Sequence, residues 1–427
     1  MLPRGIGASR LVRHAFAIGL AIGCGETRSE TRGDVGSGGA ASSTASPPFA
    51  PPIHASASAR GSVVPPQPRK PPPRVCAPSL LHDGPLDGRT TEVLSTCERL
   101  PRLHKGGPRC GSDEGRVSNT QRFVEAVPTF SDEVRELLFA TFETGKRLGR
   151  NARVFGLLGD SITVSYDFLR GFGGTESIVI PTFAEGPLSV GTPDGLNVID
   201  FFRGGVAEDA SGMPSNPFRA FRAAKVGARA SYAFDASERP LAELLRRTNP
   251  AYVIVTFGAN DAAFRKAPPE DVAREFEGHL LAIIDALLEA GVVPIVSNEM
   301  RHGDQPGVKA CPKDGEPNDW RIATATNATS ARAAEVACRR NVPFVDLRHA
   351  LEGAMNYGLG EDSVHLSTFK EGAAVLDQQG LDCGNNIRNY VTLIGLARVV
   401  KTIGERYPLA SGGISGGSSH KNKNPVP

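Results

Sequence analysis

From residue 131 onwards, apolar and polar positions follow two patterns. Long segments repeat apolar residues every three or four positions, as amphipathic helices do, and short segments are almost continuously apolar, as strands buried on both faces are. Ser131, which is followed by acidic residues, predicts the N-cap of the first helix. The pattern predicts helices at 132–149, 241–247, 269–291, 325–341 and 389–407, and strands at 153–158, 196–202, 221–231, 251–258, 292–298 and 342–347.

The alternation of strands and helices indicates a parallel sheet, because parallel neighbours need a long crossover that is usually a helix. We therefore predict an α/β fold with helices on both faces of the sheet. In such folds, ligands bind outside the carboxyl ends of the strands. Polar motifs at or after the end of a predicted strand are therefore the first candidates for a functional site.

The two ends of the chain differ from this middle part in composition. Residues 25–75 are dominated by Pro, Ser, Ala and Gly, and they predict a disordered tether; the tail at 409–427 has a similar composition. The rest divides into a Cys-containing extension at 76–130 and one α/β domain at 131–408. A formal net charge of +2, from 48 basic and 46 acidic residues, gives no indication of nucleic acid binding.

The first 24 residues resemble a bacterial lipoprotein signal. Three arginines precede an apolar segment at 15–22 that is too short to span a bilayer, and Cys24 follows as the predicted lipidation site. Gly25, rather than Asp, comes next, which by the same resemblance favours the outer membrane. We expect an exported protein, either an outer membrane lipoprotein or a periplasmic or cell-surface protein, that meets the membrane through a lipid anchor only. The alternatives are an ordinary cleaved signal and an N-terminus without a targeting function.

The other cysteines agree with export. Their number is even, which in an exported chain suggests disulfides. Three lie in the extension and three in the domain, so at least one bridge must join the two parts if all of them pair. None shows the short spacing of zinc ligands, so we expect no metal site. These residues are Cys76, Cys97, Cys110, Cys311, Cys338 and Cys383.

Three short motifs lie at or after the ends of predicted strands: GDSIT at 159–163, GAND at 258–261 and DSVH at 362–365. Together they hold the groups that acyl transfer requires. Ser161 is the candidate nucleophile, and His365 is the base that would take its proton. Asp362, three residues before His365, can bond the far ring nitrogen and hold the imidazole in one tautomer.

Acyl transfer also needs donors for the oxyanion of its tetrahedral intermediate. Asn260 follows a buried strand, and its amide is one candidate. The backbone N–H of Ser161, at the start of a predicted helix, is a second, because the first turn of a helix has free N–H groups. A backbone N–H from a glycine on a neighbouring loop would be a third.

This set of residues resembles the GDSL esterases, also called SGNH hydrolases, over about residues 131–407. Ser161, Asn260 and His365 match three of the four blocks for which the SGNH hydrolases are named. The resemblance implies a flavodoxin-like three-layer α/β/α sandwich with a parallel sheet. It also implies ester hydrolysis without a metal or cofactor.

The fourth block supplies a glycine to the oxyanion hole. The resemblance assigns it to Gly227, in the segment AAKVGARA, with Gly204 and Gly205 as the alternative positions. Gly227 lies 33 residues before Asn260 and precedes the helix that leads to the strand of that residue.

We therefore predict a monomeric serine esterase that hydrolyses carboxylic esters, with a small-molecule, lipid or acylated glycan substrate. An acylated glycan or lipid of the cell envelope would fit. Two alternatives stay open: a polysaccharide O-acyltransferase that uses the same residues, and a catalytically silent domain that binds a glycan or a partner. The segments at 170–220 and 301–325 are expected to shape the pocket.

Several other residues have simpler interpretations. Asp160 is interpreted as a structural turn residue, His302 as a surface loop residue and His349 as a solvated helix residue. The pair Phe201 and Phe202 is assigned to the core. Trp320 could contact substrate or only pack.

Overall fold

The structure is a computed structural model that describes residues 110–112, 120–174, 177–192, 195–263, 267–302 and 322–409. All of these residues belong to one compact unit. The predicted signal with Cys24, the tether at 25–75, Trp320 and the tail from residue 410 lie outside the described residues.

A five-stranded parallel sheet forms the centre of the structure, and a two-stranded antiparallel ribbon lies apart from it. In chain order the strands are β1 (Asn151–Gly159), β2 (Ala207–Glu208), β3 (Pro214–Ser215), β4 (Ala223–Ala224), β5 (Pro250–Thr256), β6 (Val293–Ser297) and β7 (Phe344–Val345). The ribbon consists of β2 and β3.

The central sheet has the strand order β4-β1-β5-β6-β7. Counted along the chain, its five strands stand in the order 2-1-3-4-5, which is the flavodoxin-like arrangement. The direction of winding reverses between β1 and β5, and ligands of such sheets bind at this switch point, outside the carboxyl ends of the strands. The topology therefore selects the ends of β1 and β5 as the place for a site.

Helices connect the strands and complete the fold. The α-helices are α1 (Gln121–Glu125), α2 (Asp132–Arg147), α3 (Ser161–Val164), α4 (Thr182–Leu188), α5 (Val198–Arg203), α6 (Pro240–Thr248), α7 (Ala259–Ala263), α8 (Pro269–Glu289), α9 (Ile322–Arg339), α10 (Leu347–Leu351) and α11 (Gly384–Arg406). Short 3-10 helices occupy Arg170–Gly173, Pro217–Arg219, Ala230–Phe234, Met355–Gly358 and Gly380–Asp382. Among the described residues, none of the helices is long and apolar enough to cross a membrane.

The sheet separates two hydrophobic cores. Successive residues of β5 point to opposite faces, so that Tyr252 and Ile254 belong to one core and Val253 and Val255 to the other. Helices α1, α2, α5 and α11 cover the first face, and α6, α8 and α9 cover the second. This arrangement confirms the predicted three-layer α/β/α fold.

Helix α11 is enclosed on nearly all sides. Its residues from Gly384 to Ala397 are all buried, and the polar side chains of Asn385, Asn386, Arg388 and Asn389 are among them. A buried polar side chain must find hydrogen-bond partners. Of these side chains, Asn385 and Arg388 hold the segments that carry the site, as described below.

A disulfide between Cys110 and Cys383, whose Cα atoms are 5.1 Å apart, joins the extension to the start of α11. This bridge confirms the prediction that at least one disulfide links the extension to the α/β domain. Cys338 is also disulfide-bonded.

Two predicted elements differ in the structure. Residues 196–202 were expected to form a strand, yet Val198–Arg203 is helix α5. The side chain of Asn197 accepts hydrogen bonds from the N–H groups of Ile199 and Asp200, which starts a helix. The predicted strand at 221–231 is reduced to β4, because the chain turns away from the sheet after Ala224.

The spacing of apolar residues in α5 explains why the sequence alone did not distinguish a helix from a strand. Apolar residues at 198, 199, 201 and 202 fit a short helix as well as a buried strand. Phe201 and Phe202 are buried, and the Phe202 ring packs edge-on against Phe155 with 4.9 Å between centroids. Their assignment to the core is therefore confirmed.

Candidate active site

Ser161 is the first residue of α3, two residues after the end of β1, and its side chain is half-buried. Asp160 is the N-cap, and its Oδ1 accepts from the N–H of Ile162 at 3.2 Å. A Cβ at position 159 would lie 2.7 Å from the carbonyl oxygen of Thr256 and 2.3 Å from the hydroxyl of Thr163. The glycine of the first motif is therefore required for this turn to pack against β5.

Asn260 belongs to α7, which follows β5, the strand next to β1. Gly258 before it has a φ of +136°, a region that side chains rarely adopt. Nδ2 of Asn260 donates to Oδ2 of Asp160 at 2.9 Å. Motifs that are 100 residues apart in sequence are thus joined by one hydrogen bond across the switch point. The amide retains a second N–H for another acceptor.

Asp160 is part of a buried acidic group, together with Asp261 and Glu299. Burial raises the pKa of Asp160 to about 6, against the opposing charge of Arg388. Burial also raises the pKa of Asp261 to about 7, although both of its carboxyl oxygens accept from the N–H of Ala230. These carboxyl groups therefore retain protons at a pH where exposed carboxyl groups have lost them.

Glu299 follows the end of β6 and is fully buried. No donor reaches its carboxyl oxygens in the part of the chain that the structure describes. Burial, and next the charge of Asp160, raise its pKa well above the usual range. A protonated Glu299 can donate to Asp160, so that the two groups need not both be charged.

Arg388 supplies the cation of this group. It is buried, and its guanidinium lies 3.5 Å from the centroid of the Phe168 ring. Its Nη1 donates to the carbonyl oxygen of Ile162 at 2.5 Å, and its Nη2 to the hydroxyl of Thr163 at 3.3 Å. Arg388 therefore holds α3, and with it Ser161, from the side of α11.

The pair Asp362 and His365 lies in an exposed loop, and the two side chains are 52% and 55% exposed. Nδ1 of His365 is 2.6 Å from Oδ2 of Asp362. Oδ1 of Asp362 accepts from the N–H groups of Val364 and His365, at 3.0 and 2.9 Å. With the proton on Nδ1, the free lone pair of the imidazole is on Nε2, as a general base requires.

The pKa values of this pair move in opposite directions. Partial burial acts to raise the pKa of Asp362, but the hydrogen bonds from His365 and two backbone N–H groups prevail and lower it to about 2. The hydrogen bond to Asp362 raises the pKa of His365 against partial burial. The charge of Asp160 also contributes to this rise, so the loop lies within electrostatic range of the first motif.

The buried end of α11 holds this loop in place. Asn385 donates to the carbonyl oxygen of Leu366 at 3.1 Å and to the hydroxyl of Thr368 at 2.9 Å. Thr368 in turn donates to Oδ2 of Asp167, in the loop after α3, at 2.7 Å. The segment with His365 is therefore tied to the segment with Ser161.

The three candidate glycines lie at different ends of β1. Gly204 and Gly205 contact Arg153, near the start of that strand. Gly227 follows β4, whose Ala224 pairs with the last residue of β1. Six residues of strand separate Arg153 from Gly159, roughly 20 Å. Gly227, with a φ of +76° and an exposed position, thus lies at the sheet edge of Ser161, and the alternatives do not.

His302 was expected on the surface, and that expectation is wrong. It follows the end of β6, is 5% exposed, and neither of its ring nitrogens has a hydrogen-bond partner among the described residues. Burial, the charge of Arg348 and the charge of His365 lower its pKa to about 4. His302 is therefore a neutral ring near the exposed pair. His349 was expected to be solvated, yet it is only 11% exposed and lies 3.2 Å from Glu352.

Sequence reasoning missed Asp261, Glu299 and Arg388. Asp261 and Glu299 lie shortly after the ends of buried strands. The same position identified the three motifs as candidates for a site. Arg388 lies in α11, which begins at Gly384, whereas the sequence predicted a helix only from residue 389. Among the described residues, no group of three or more His, Cys, Asp or Glu side chains is arranged to hold a metal ion.

One family of known proteins matches the part of the chain that carries these residues. Residues 157–369 match the model of the GDSL-like Lipase/Acylhydrolase family, and this span includes Ser161, Asn260, Asp362 and His365. The chain belongs to this family, whose members are hydrolases of the lipase and esterase type. No curated protein sequence matches the chain.

Several solved structures also match. A lipase/acylhydrolase from Enterococcus faecalis is 19% identical, with 50% of this chain and 86% of that chain covered and a TM-score of 0.26. An acetylxylan esterase from Geobacillus stearothermophilus is 15% identical, with 57% and 93% covered and a TM-score of 0.34. A GDSL-like lipase from Bacteroides thetaiotaomicron is 14% identical, with 60% and 96% covered and a TM-score of 0.31.

Proposed function

We propose that this domain is a serine esterase that hydrolyses carboxylic esters. The observation that carries the proposal is the hydrogen bond of 2.6 Å between Asp362 and His365. Ser161 and Asn260 follow neighbouring strands, on the two sides of the switch point. The hydrogen bond from Thr368 to Asp167 ties the loop of His365 to the segment that follows Ser161. A nucleophile, an oriented base and an amide donor are the parts that acyl transfer needs.

In the first step, Nε2 of His365 takes the proton of the Ser161 hydroxyl, and Oγ forms a bond to the ester carbonyl carbon. The C=O electron pair moves onto oxygen. When the tetrahedral intermediate collapses, the alcohol leaves with the proton from His365 and an acyl-serine remains. Asp362 stabilises the imidazolium without taking its proton.

Three donors stabilise the oxyanion in this proposal: the backbone N–H groups of Ser161 and Gly227 and the side-chain amide of Asn260. The hydrogen bond from Asn260 to Asp160 supports the assignment, because it fixes the amide plane and leaves one N–H for the substrate. A donor that is held in place before the reaction loses no energy to reorganisation.

In the second step, His365 takes a proton from water, and the water oxygen forms a bond to the acyl carbon. The bond from that carbon to Oγ of Ser161 then breaks, His365 returns the proton to Oγ, and the carboxylic acid leaves. The side chain of His365 is 55% exposed, which favours hydrolysis over transfer to a sugar. A transferase must keep water from this base, whereas a hydrolase uses it.

The test is a panel of 4-nitrophenyl esters of increasing chain length together with acetylated sugars. The wild type should hydrolyse at least one of them, and Ser161→Ala should lower kcat by about 10⁶-fold, as the loss of a catalytic serine does elsewhere. Ser237→Ala, at an exposed serine, is the matched control and should retain full activity. Hydrolysis by Ser161→Ala at the wild-type rate would refute the proposal.

We also propose that the domain is exported and anchored through Cys24. Three arginines, the apolar segment at 15–22 and the following cysteine support this, and so does the disulfide between Cys110 and Cys383, a bond typical of oxidising compartments. Cys24→Ser should release the protein from the membrane fraction and leave the activity of the domain unchanged. An unprocessed N-terminus by intact mass would contradict the anchor.

A further inference from the structure

A cavity of about 450 Å³ adjoins α3, the helix that begins with Ser161, and the proposed ester chemistry does not use it. Val164 and Ala224 line it on the side of the site. Val164 is three residues after Ser161 in α3, and Ala224 pairs with Gly159 of β1. Residues three apart on a helix share a face, with about 5–6 Å between their Cβ atoms. The cavity therefore begins one helical turn from the nucleophile.

The charge of this cavity is strongly unbalanced. Three arginines line it, and Asp209 is the one acidic residue among the lining residues. Oδ1 of Asp209 already accepts from the N–H groups of Ser211 and Met213, at 2.8 and 3.0 Å. The lining arginines are Arg170, Arg219 and Arg222.

Arg222 provides a fixed positive charge. Its two Nη atoms donate to four backbone carbonyl oxygens, among them those of Thr163 and Ser165 at the end of α3. Burial, and next the charges of Arg170 and Arg388, lower its pKa to about 9. Arg222 therefore remains charged at neutral pH and holds α3, while its Nη donors are already occupied.

Arg170 provides the donors. It is half-buried, and its guanidinium lies 5.8 Å from the centroid of the Tyr166 ring, which also lines the cavity. Its buried Nε has no hydrogen-bond partner in the part of the chain that the structure describes. The effect of Arg170 on the pKa of Arg222 indicates that the two guanidinium groups repel each other. An anion between them would relieve this repulsion.

We propose that this cavity is a subsite for an anionic group of the ester substrate, either a carboxylate or a phosphate. Guanidinium groups bind both anions through charge-assisted hydrogen bonds, and a cleft lined by charges of one sign concentrates ligands of the opposite sign. Because the cavity begins one turn from Ser161, a compact substrate such as an acylated sugar acid or sugar phosphate can reach both. This inference rests on the proposed function and specifies its substrate class.

The kinetic test compares substrates that differ only in charge. The carboxylate arm pairs an acetylated methyl glucuronoside with its uncharged carboxamide, and the phosphate arm pairs an acetylated glucose phosphate with acetylated glucose. The wild type should prefer the anion by about tenfold or more in kcat/KM, the lower end expected for a charge-assisted hydrogen bond. The arm with the larger preference identifies the anion.

Arg170→Ala should reduce this preference to less than about threefold, Arg170→Lys should restore part of it, and added salt should weaken it. The ratio of paired substrates cancels any general loss of activity. Arg274→Ala is the matched control, because it removes an exposed arginine at the start of α8. A wild-type ratio near one in both arms, or an unchanged ratio in Arg170→Ala, would overturn the subsite.

A binding measurement separates this inference from the proposed function. Calorimetric titration of Ser161→Ala with glucuronate and with inorganic phosphate should detect binding that is lost in the double variant with Arg170→Ala. If the wild type hydrolyses no ester, including 4-nitrophenyl acetate, the proposed function fails, and this titration still decides the subsite. If esters are hydrolysed and neither anion binds, only the subsite is wrong.

Discussion

Two regions of the site use the same kind of residue in opposite ways. In the inner region, Asp160, Asp261 and Glu299 are buried, and burial raises the pKa of each carboxyl group. In the outer region, Asp362 is half exposed, and its hydrogen bond with His365 helps to lower its pKa to about 2. The inner carboxyl groups are partly protonated and help to hold the shape of the site. The carboxyl group of Asp362 is ionised and acts on His365 through its negative charge.

The difference also lies in how each region is held. The inner region is tied by Arg388 and by the sheet, so that it depends on packing over a large part of the fold. The outer pair depends on a few hydrogen bonds within one loop and on the contact of that loop with α11. We therefore expect substitutions in the outer region to change catalysis at little cost in stability, and those in the inner region to change stability as well.

Between these two regions, the largest expected effect is that of Asp362→Asn. An amide cannot stabilise the imidazolium and can favour the wrong tautomer, so kcat should fall by about 10⁴-fold, as in a comparable triad. His365 acts as a base when it is neutral, and Asp362 raises its pKa. The acidic limb of the pH profile of kcat should therefore move to lower pH in the variant.

The matched control is Asp271→Asn, since Asp271 is 53% exposed in its side chain and also pairs with a basic residue. It should leave both kcat and the acidic limb unchanged. A limb that moved to higher pH in Asp362→Asn would show that the carboxylate does not act on His365.

The next largest effect is on the stability of the fold, through the ionisation of Asp261 in the inner region. The pKa of Asp261 is raised from 3.8 to about 7, so the folded state retains a proton that the unfolded state loses. Its contribution is favourable below pH 4 and is lost as the pH rises towards 7. At pH 8 the cost of ionising Asp261 approaches about 4 kcal/mol.

Asp261→Asn removes this cost, and its side-chain oxygen can still accept from the N–H of Ala230. The variant should therefore have a higher Tm than the wild type at pH 8 and a similar Tm at pH 4. Thermal unfolding by circular dichroism at both values of pH measures the difference. A variant that is less stable than the wild type at pH 8 would show that Asp261 is needed as a carboxylate.

The smallest of these effects is that of Asn260→Ala, at the boundary between substrate and the inner region. Loss of one oxyanion donor should lower kcat by about a hundredfold or more with little change in KM. Steady-state kinetics on a neutral ester separates the two constants. If KM rises instead and kcat is retained, Asn260 binds the substrate in its ground state, and its assignment to the oxyanion hole is wrong.

The sequence predicted the outer region better than the inner one. Asp362 and His365 are three residues apart, so their contact is local and a motif can reveal it. Strands such as β5 and β6 could be predicted equally well, because each is a continuous apolar segment. Segment 196–202 was assigned wrongly, because its spacing fits a helix and a buried strand alike and the cap at Asn197 decided between them.

The inner region depends on contacts between distant parts of the chain. The hydrogen bond from Arg388 to Ile162 joins residues that are 226 positions apart, and no motif around either residue predicts it. The raised pKa of Glu299 likewise follows from burial against Asp160, which only the folded sheet provides. A polar residue directly after a buried strand was the signal that could have identified Glu299, as it identified Asn260.

The most direct test of Ser161 as the nucleophile is labelling with a serine-directed fluorophosphonate, followed by peptide mass mapping. We expect a single adduct on Ser161, no adduct in Ser161→Ala, and slower labelling in Asp362→Asn because the base is impaired. Ser237→Ala should be labelled like the wild type. An adduct on another serine, or labelling that persists in Ser161→Ala, would contradict the assignment of Ser161 as the nucleophile.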